Sequence, residues 1–139
     1  MRLCLRLGWA PLHEVGLANG RRADILALTG GGDFVCIEVK SGPRDFLTDT
    51  KWPEYRDYAD ALAFAVAADF PTALLPADVG LIVAAGLEAE LVRPAPVHRL
   101  APARRRALTL LFARLAATRL AWAEDPAGEA ELRGALRAE

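Results

Sequence analysis

The chain has 139 residues, a mass of 15.0 kDa, 53% hydrophobic residues and a formal net charge of −1. This size suits a single domain with a real core, and the near-neutral charge argues against a protein that coats nucleic acid through bulk electrostatics. Cys4 and Cys36 lack the CxxC spacing of a zinc site, which makes a reducing, intracellular setting the default. No apolar run reaches the length of a membrane span, which is about 18 residues, and the first residues lack the features of a signal peptide. We therefore expect a cytoplasmic protein with no membrane partner.

The first predicted elements lead into a sheet. Residues 2–8 have apolar positions at helical spacing and end at a glycine, which predicts a short helix. Residues 12–17 follow as a first strand and turn at Asn19-Gly20. Glu14 in this strand is either an edge carboxylate in water or a member of a site at the opening of the sheet.

Residues 21–42, RRADILALTGGGDFVCIEVKSG, predict two apolar strands joined by a glycine turn. If the turn is centred on Gly31, partner numbers sum to sixty-two, so Asp24 lies opposite Glu38. Opposed residues share a face, with Cβ atoms roughly 4.5–5.5 Å apart, and residues two apart on one strand share that face as well. Asp24, Glu38 and Lys40 therefore converge. A turn one residue longer or shorter would put the two acids on opposite faces.

The converging acids predict a cation site. Two facing carboxylates repel each other, so a hairpin built only for stability has no use for them. A divalent cation between them reverses this penalty, and Mg²⁺ takes carboxylates together with water and phosphate oxygens. The Lys40 ammonium could then orient a water or stabilise developing negative charge. We therefore hypothesise a metal-dependent phosphodiester site, and the alternative is a set of solvated acids at the strand ends.

The next elements alternate between helices and strands. Residues 44–50 predict a helix that Trp52-Pro53 interrupts, and residues 54–62 predict a second helix. Further strands are predicted over residues 63–67, 79–85 and 88–93. Residues 124–139 are expected to form a short last helix or a frayed end.

Cations and aromatic residues near the presumed metal strand are candidates for contact with nucleic acid. Lys51, Trp52 and Tyr55 follow this strand closely, and an aromatic ring beside a cation could hold a flipped base or a strand backbone. Tyr55 also forms a stripe with Tyr58 and Leu62 at helical spacing, and the alternative for this stripe is packing against the sheet. Arg22 could contact a phosphate or pair with Glu14.

A long helix is predicted over about 102–122, and its beginning is basic. Arg104, Arg105 and Arg106 lie where the helix dipole disfavours cations. A phosphate ligand would relieve both the repulsion among the arginines and the unfavourable dipole. The alternative is a solvated run of charge.

Three segments carry a resemblance to a known family: GRRADILAL, VCIEVKSGPRDFLTDTKWPEYRDYADALAFAV and LLPADVGLIVA. Over roughly residues 9–120 the chain resembles the MmcB-type DNA-repair protein family of bacteria, a branch of the PD-(D/E)XK nuclease-like superfamily. The resemblance implies an α/β fold with a restriction-endonuclease-like core, in which a central mixed β-sheet is flanked by helices. We expect residues 1–139 to form a single such domain. Ala23 stands where the name of the superfamily places proline.

The resemblance also implies roles for individual residues. In that superfamily the motif Asp and Glu bind Mg²⁺ and the Lys assists attack by water, roles that would fall on Asp24, Glu38 and Lys40. The backbone carbonyl of Val39 would be a further metal ligand. Glu14 is the candidate for the additional Glu that the superfamily often carries on its amino-terminal helix.

The leading hypothesis is a DNA-repair protein whose Mg²⁺- or Mn²⁺-dependent site hydrolyses DNA phosphodiester bonds. The alternative is a DNA-binding or adaptor module that keeps the nuclease-like core with little or no cleavage. The predicted partner is DNA, and a homodimer is left open. Contacts with nucleic acid are predicted at Arg22, Lys51, Trp52, Tyr55, Arg104, Arg105 and Arg106.

Overall fold

Six strands within residues 1–131, the part of the chain that the computed structural model describes, form one mixed sheet. In chain order, which is also their order across the sheet, they are β1 Ala10–Gly16, β2 Arg22–Leu28, β3 Phe34–Lys40, β4 Ala61–Ala67, β5 Gly80–Ala85 and β6 Glu88–Arg93. Strand β4 pairs in parallel with β3 and β5, and the other neighbouring strands are antiparallel. The predicted α/β fold with a central mixed sheet is confirmed.

The register of the β2–β3 hairpin is the one that the glycine turn predicts. The recorded partners are Ile25↔Ile37, Leu26↔Cys36, Ala27↔Val35 and Leu28↔Phe34, and each pair of numbers sums to sixty-two. Within the turn Gly32 has a φ of +87°, a conformation that glycine adopts without a Cβ penalty. Because the side-chain period of a strand is two, this register fixes which side chains share a face.

Helical segments within residues 1–101 cover both faces of the sheet. They are the helices α1 Arg2–Arg6 and α2 Pro43–Thr48 and the 3₁₀ helices at Trp52–Tyr58 and Thr72–Leu74. A further helix, α3, spans Pro102–Glu124. On one face, beside α1, a core cluster comprises Cys4, Ala27, Val35, Ile37, Ala61, Ala63 and Ile82. On the other face Phe64 of β4 contacts the rings of Phe46 in α2 and Trp52. Six of the seven residues of β3 are therefore buried, as its apolar sequence predicts, and Val39 is exposed.

The helix predicted over residues 54–62 is wrong. The 3₁₀ helix ends at Tyr58, and Leu62 lies in β4. The reason is a contact distant in sequence, since the Asp60 carboxylate accepts the N–H of Phe34 at 2.7 Å and the Asp60 N–H donates to the Phe34 carbonyl at 2.8 Å. These bonds hold residue 60 at the beginning of β3. The residues that follow Asp60 therefore pair with β3 as the strand β4 instead of continuing a helix.

The chain divides into two compact units, the first formed by Met1–Ala101 and the second beginning at Pro102. Helix α3 belongs to the second unit and lies where a helix over about 102–122 was expected. A single domain over 1–139 stays a prediction. Residues 132–139, which belong to the segment 124–139 considered above, lie outside the described residues. Up to residue 131, none of the helices is both long enough and apolar enough to cross a bilayer.

Candidate metal-binding and catalytic site

Asp24 and Glu38 lie opposite each other, one step beyond the last recorded ladder pair of the β2–β3 hairpin. Glu38 Oε1 accepts a hydrogen bond from the Asp24 N–H at 3.2 Å, and Asp24 Oδ2 accepts one from the Val39 N–H at 2.8 Å. Each carboxylate therefore contacts the backbone of the opposite strand. The structure brings together the two acids that the hairpin register predicts to converge.

The environment of Glu38 disfavours its negative charge. The residue is 5% exposed, and burial followed by the Asp24 carboxylate raises the pKa of Glu38 to about 7. The buried Cys36 thiol lies 3.8 Å from Glu38 Oε1, and burial together with the Glu38 carboxylate raises the pKa of Cys36 well above its ordinary value. Cys36 therefore remains a neutral neighbour of this acid pair.

Lys40 follows Glu38 on the same face of β3 and is held by an acid that sequence reasoning did not select. The Lys40 ammonium, 6% exposed, lies 2.6 Å from Asp49 Oδ2. The other oxygen of Asp49 accepts the N–H groups of Lys51 at 2.9 Å and Trp52 at 3.1 Å. The sequence does contain a signal for Asp49. An Asp three residues before Trp52-Pro53 is well placed to accept hydrogen bonds from the backbone N–H groups two and three residues further on.

The aromatic residues after β3 hold the 3₁₀ helix on the sheet. The Trp52 and Phe64 rings meet edge to face, with centroids 5.3 Å apart, and Arg56 Cζ lies 5.4 Å from the Trp52 centroid. Tyr55 is 7% exposed, and its hydroxyl donates to the Arg22 carbonyl at 3.0 Å. Trp52 therefore packs against the sheet, Tyr55 is buried beside β2, and contact of these two rings with nucleic acid stays a prediction.

Glu14 occupies the position opposite Asp24 in the β1–β2 pair, between the partners His13↔Ile25 and Val15↔Ala23. The β1–β2 ladder skips Glu14, whose φ of +51° departs from strand geometry. Its carboxylate lies 3.4 Å from the guanidinium of Arg22, which is the ion pair considered above as the alternative to a phosphate contact.

The acid cluster is therefore small. Among residues 1–131, no group of three or more His, Cys, Asp and Glu side chains is arranged to hold a metal ion. A metal role for Glu14 stays a prediction, and so does the carbonyl of Val39, whose recorded contact with Asp24 is through its N–H. The candidate site thus rests on two carboxylates, Asp24 and Glu38, beside the Lys40 ammonium.

Four further cations were predicted to contact nucleic acid, namely Lys51 and the three arginines at the beginning of α3. Lys51 is exposed beside the Asp49 turn, whereas the three arginines at the beginning of α3 belong to the second unit. The first turn of α3 contains no acidic residue, so the basic helix start that the sequence predicts is present. Contact of Arg104, Arg105 and Arg106 with phosphate stays a prediction.

The sheet order and the hairpin site define a class of α/β protein that is consistent with a restriction-endonuclease-like core. The chain belongs to the MmcB-like family, since the family model described as "DNA repair protein MmcB-like" matches residues 1–127. This family resemblance was predicted and is confirmed, and placement in the PD-(D/E)XK superfamily stays a prediction.

The chain is also similar to a solved structure, the SPO1766 protein of unknown function from Silicibacter pomeroyi. The two are 42% identical with a TM-score of 0.85, and the match covers 90% of this chain and 86% of the other. No curated protein matches the chain.

Proposed function

We propose that the protein acts on DNA in repair through a divalent-metal site that hydrolyses phosphodiester bonds. The observation that carries the proposal is the facing pair of Asp24 and Glu38, with Lys40 two residues further along the same face of β3. Membership of a family of DNA repair proteins supports DNA as the target.

The local charge supports a cation at this place. When all are ionised, the carboxylates of Asp24, Glu38 and Asp49 carry three negative charges against the single positive charge of Lys40, which leaves −2. One divalent cation would neutralise this excess. The same cation would offset the cost of ionising Glu38, which burial and Asp24 impose.

The donor atoms suit a hard cation. Carboxylate and backbone carbonyl oxygens are the ligands that Mg²⁺ and Mn²⁺ prefer, so Asp24, Glu38 and the Val39 carbonyl would hold the ion. When bound, the ion would supply a water of lowered pKa and stabilise negative charge on the phosphate. Lys40 would donate hydrogen bonds to that water or to a phosphate oxygen, and its burial strengthens such contacts by limiting competing solvent.

The test is cleavage of single-stranded, duplex and branched DNA in the presence of Mg²⁺, Mn²⁺ or a chelator. We expect cleavage only with metal, and Glu38→Ala and Lys40→Ala should each lower the rate about 100-fold or more. Glu54→Ala is the matched control, because Glu54 is an exposed acid of the same unit that pairs with Arg21 at 2.8 Å. Unchanged cleavage by the Glu38 and Lys40 variants would show that the catalytic assignment is wrong.

A second candidate function is a DNA-binding or adaptor module with little or no cleavage. It is favoured by the contacts within the chain, because Asp49 already binds Lys40 and the Val39 N–H already binds Asp24. Such a module would bind DNA without metal, using cations outside the hairpin.

Fluorescence anisotropy of labelled DNA in chelator tests this second function. Replacing Arg104, Arg105 and Arg106 with alanine should weaken binding and reduce the salt slope by about one for each of these arginines that binds a phosphate. Arg114→Ala, later in the same helix, is the control. Equal affinity of the triple variant and the control would exclude the helix start as the region that binds DNA.

A further inference from the structure

We propose that Asp49 is a positioning residue, which holds the Lys40 ammonium and thereby keeps the Asp24–Glu38 pair available to a cation. The inference rests on the proposed function for its catalytic meaning. Its structural content, which acid holds the lysine and what happens when that acid is replaced, can be tested separately.

The position of Asp49 is set independently of the lysine. Its Oδ1 accepts the N–H groups of Lys51 and Trp52, and its own N–H donates to the Phe46 carbonyl at 3.2 Å. Both Phe46 and Trp52 pack against Phe64 of β4. The carboxylate is therefore fixed by the backbone of a turn whose rings pack on Phe64, which leaves Oδ2 as a fixed acceptor for the ammonium.

Lys40 has a competing partner on its own strand. Glu38 lies two residues earlier on the same face of β3, about 7 Å away along the strand, a distance that the four-carbon lysine stem can cover. The lysine is 6% exposed, so an ammonium released from Asp49 would seek another acid rather than water. The Glu38 carboxylate is that acid.

An ammonium bound to Glu38 would obstruct the metal site. It would neutralise the carboxylate that the cation needs and occupy the space beside Asp24. In the structure the ammonium instead lies on Asp49, and Glu38 accepts the Asp24 N–H. Asp49 therefore keeps the Lys40 ammonium, which would contact the phosphate, away from the Asp24 and Glu38 carboxylates, which would bind the metal.

The primary experiment is the metal-free crystal structure of the Asp49→Asn variant. Asparagine keeps an oxygen for the N–H groups of Lys51 and Trp52 but removes the charge that holds the ammonium, and Asp49→Ser is a second variant that also keeps an acceptor for this turn. We expect Lys40 Nζ to move to hydrogen-bonding distance of the Glu38 carboxylate. Nζ remaining in its wild-type place in either variant would overturn the inference.

Calorimetric titration with Mn²⁺ measures the consequence for the site. We expect Asp49→Asn to weaken Mn²⁺ binding about 10-fold. Adding Lys40→Met to that variant should restore the affinity, because the competing ammonium is gone, and Asp49→Glu should retain most of it. Asp45→Asn is the matched control, since Asp45 lies in α2 and binds Ser41 instead of Lys40.

The outcomes distinguish this inference from the proposed function. Equal loss of Mn²⁺ affinity in Asp49→Asn and in the double variant with Lys40→Met would give Asp49 a merely structural role and overturn the inference. Absence of Mn²⁺ binding by the wild-type protein would overturn the proposed metal site, while the position of Nζ in Asp49→Asn would still decide which acid holds the lysine.

Discussion

Two charged pairs lie side by side at the end of β3, and they are built on opposite principles. In the first, Asp24 and Glu38 are like charges, and burial together with Asp24 raises the pKa of Glu38 to about 7. In the second, Lys40 and Asp49 are opposite charges. Burial alone would raise the pKa of Asp49, but hydrogen bonds from Lys40 and from the N–H groups of Lys51 and Trp52 outweigh it and lower that pKa. The second pair joins opposite charges, whereas the first places like charges together, and it is at this first pair that we propose a cation.

The largest expected effect on stability comes from removing the charge of Glu38. Its pKa is raised in the folded protein, so its contribution to stability is fully present below pH 4.5 and is lost as pH rises through about 7. The shift from 4.5 to about 7 corresponds to at most about 3 kcal/mol. In chelator at pH 8, Glu38→Gln should therefore be more stable than wild type by up to this amount.

Urea unfolding at pH 5 and pH 8 measures this difference. The advantage of Glu38→Gln should grow between the two pH values, whereas Glu54→Gln should leave the pH dependence unchanged. Parallel pH profiles for Glu38→Gln and wild type would mean that Glu38 is already ionised without cost.

Metal binding should reverse the penalty of the first pair. A ligand at one hundred times its dissociation constant stabilises a folded protein by about 2.7 kcal/mol. Mg²⁺ or Mn²⁺ at such a concentration should stabilise wild type by this amount at pH 8 and should do little for Glu38→Gln, as judged by urea unfolding. Equal stabilisation of both proteins would place the ion elsewhere.

The second pair should respond in the opposite sense, because removing one partner leaves a charge without compensation. Lys40→Met should destabilise the protein by about 2 kcal/mol, below the range for fully buried pairs because the Asp49 side chain is 23% exposed. The double variant Lys40→Met, Asp49→Asn should lose less stability than the sum of the two single variants, which a double-mutant cycle measures. Strictly additive losses would show that the two residues do not interact in solution.

The smallest expected effect is that of Asp24→Asn. The asparagine oxygen can still accept the Val39 N–H, so at pH 5, where Glu38 is protonated in the folded protein, stability should change by less than about 1 kcal/mol. Removing the neighbouring charge should bring the pKa of Glu38 down toward its ordinary value. An NMR titration of the Glu38 carboxyl carbon tests this, and an unchanged midpoint would assign the whole shift to burial.

The sequence was sufficient for the first pair and insufficient for the second. The opposition of Asp24 and Glu38 follows from a local turn centred on glycine and from the period of two, which together fix every partner along the hairpin. The contact between Lys40 and Asp49 depends instead on how the Trp52 ring packs on Phe64, and no local pattern encodes that packing.

The same limit explains the wrong helix. Tyr55, Tyr58 and Leu62 have helical spacing, which predicts one continuous helix. The segment divides because Asp60 binds Phe34, a residue 26 positions earlier. Tertiary contact overrides local periodicity here, as it commonly does for short amphipathic segments.

Asp60 has a further consequence for the motions of the protein. Its carboxylate accepts the N–H groups of Phe34 and Leu100, at 2.7 and 2.8 Å, and its carbonyl accepts that of His98 at 2.7 Å. The residue is 1% exposed, so we expect the hydrogen bonds of these three amides to open together, when Asp60 itself is released. Their deuterium uptake should accordingly proceed at a common rate, and the beginning of β3, the strand that carries Glu38 and Lys40, should open together with residues 98–100, which precede α3.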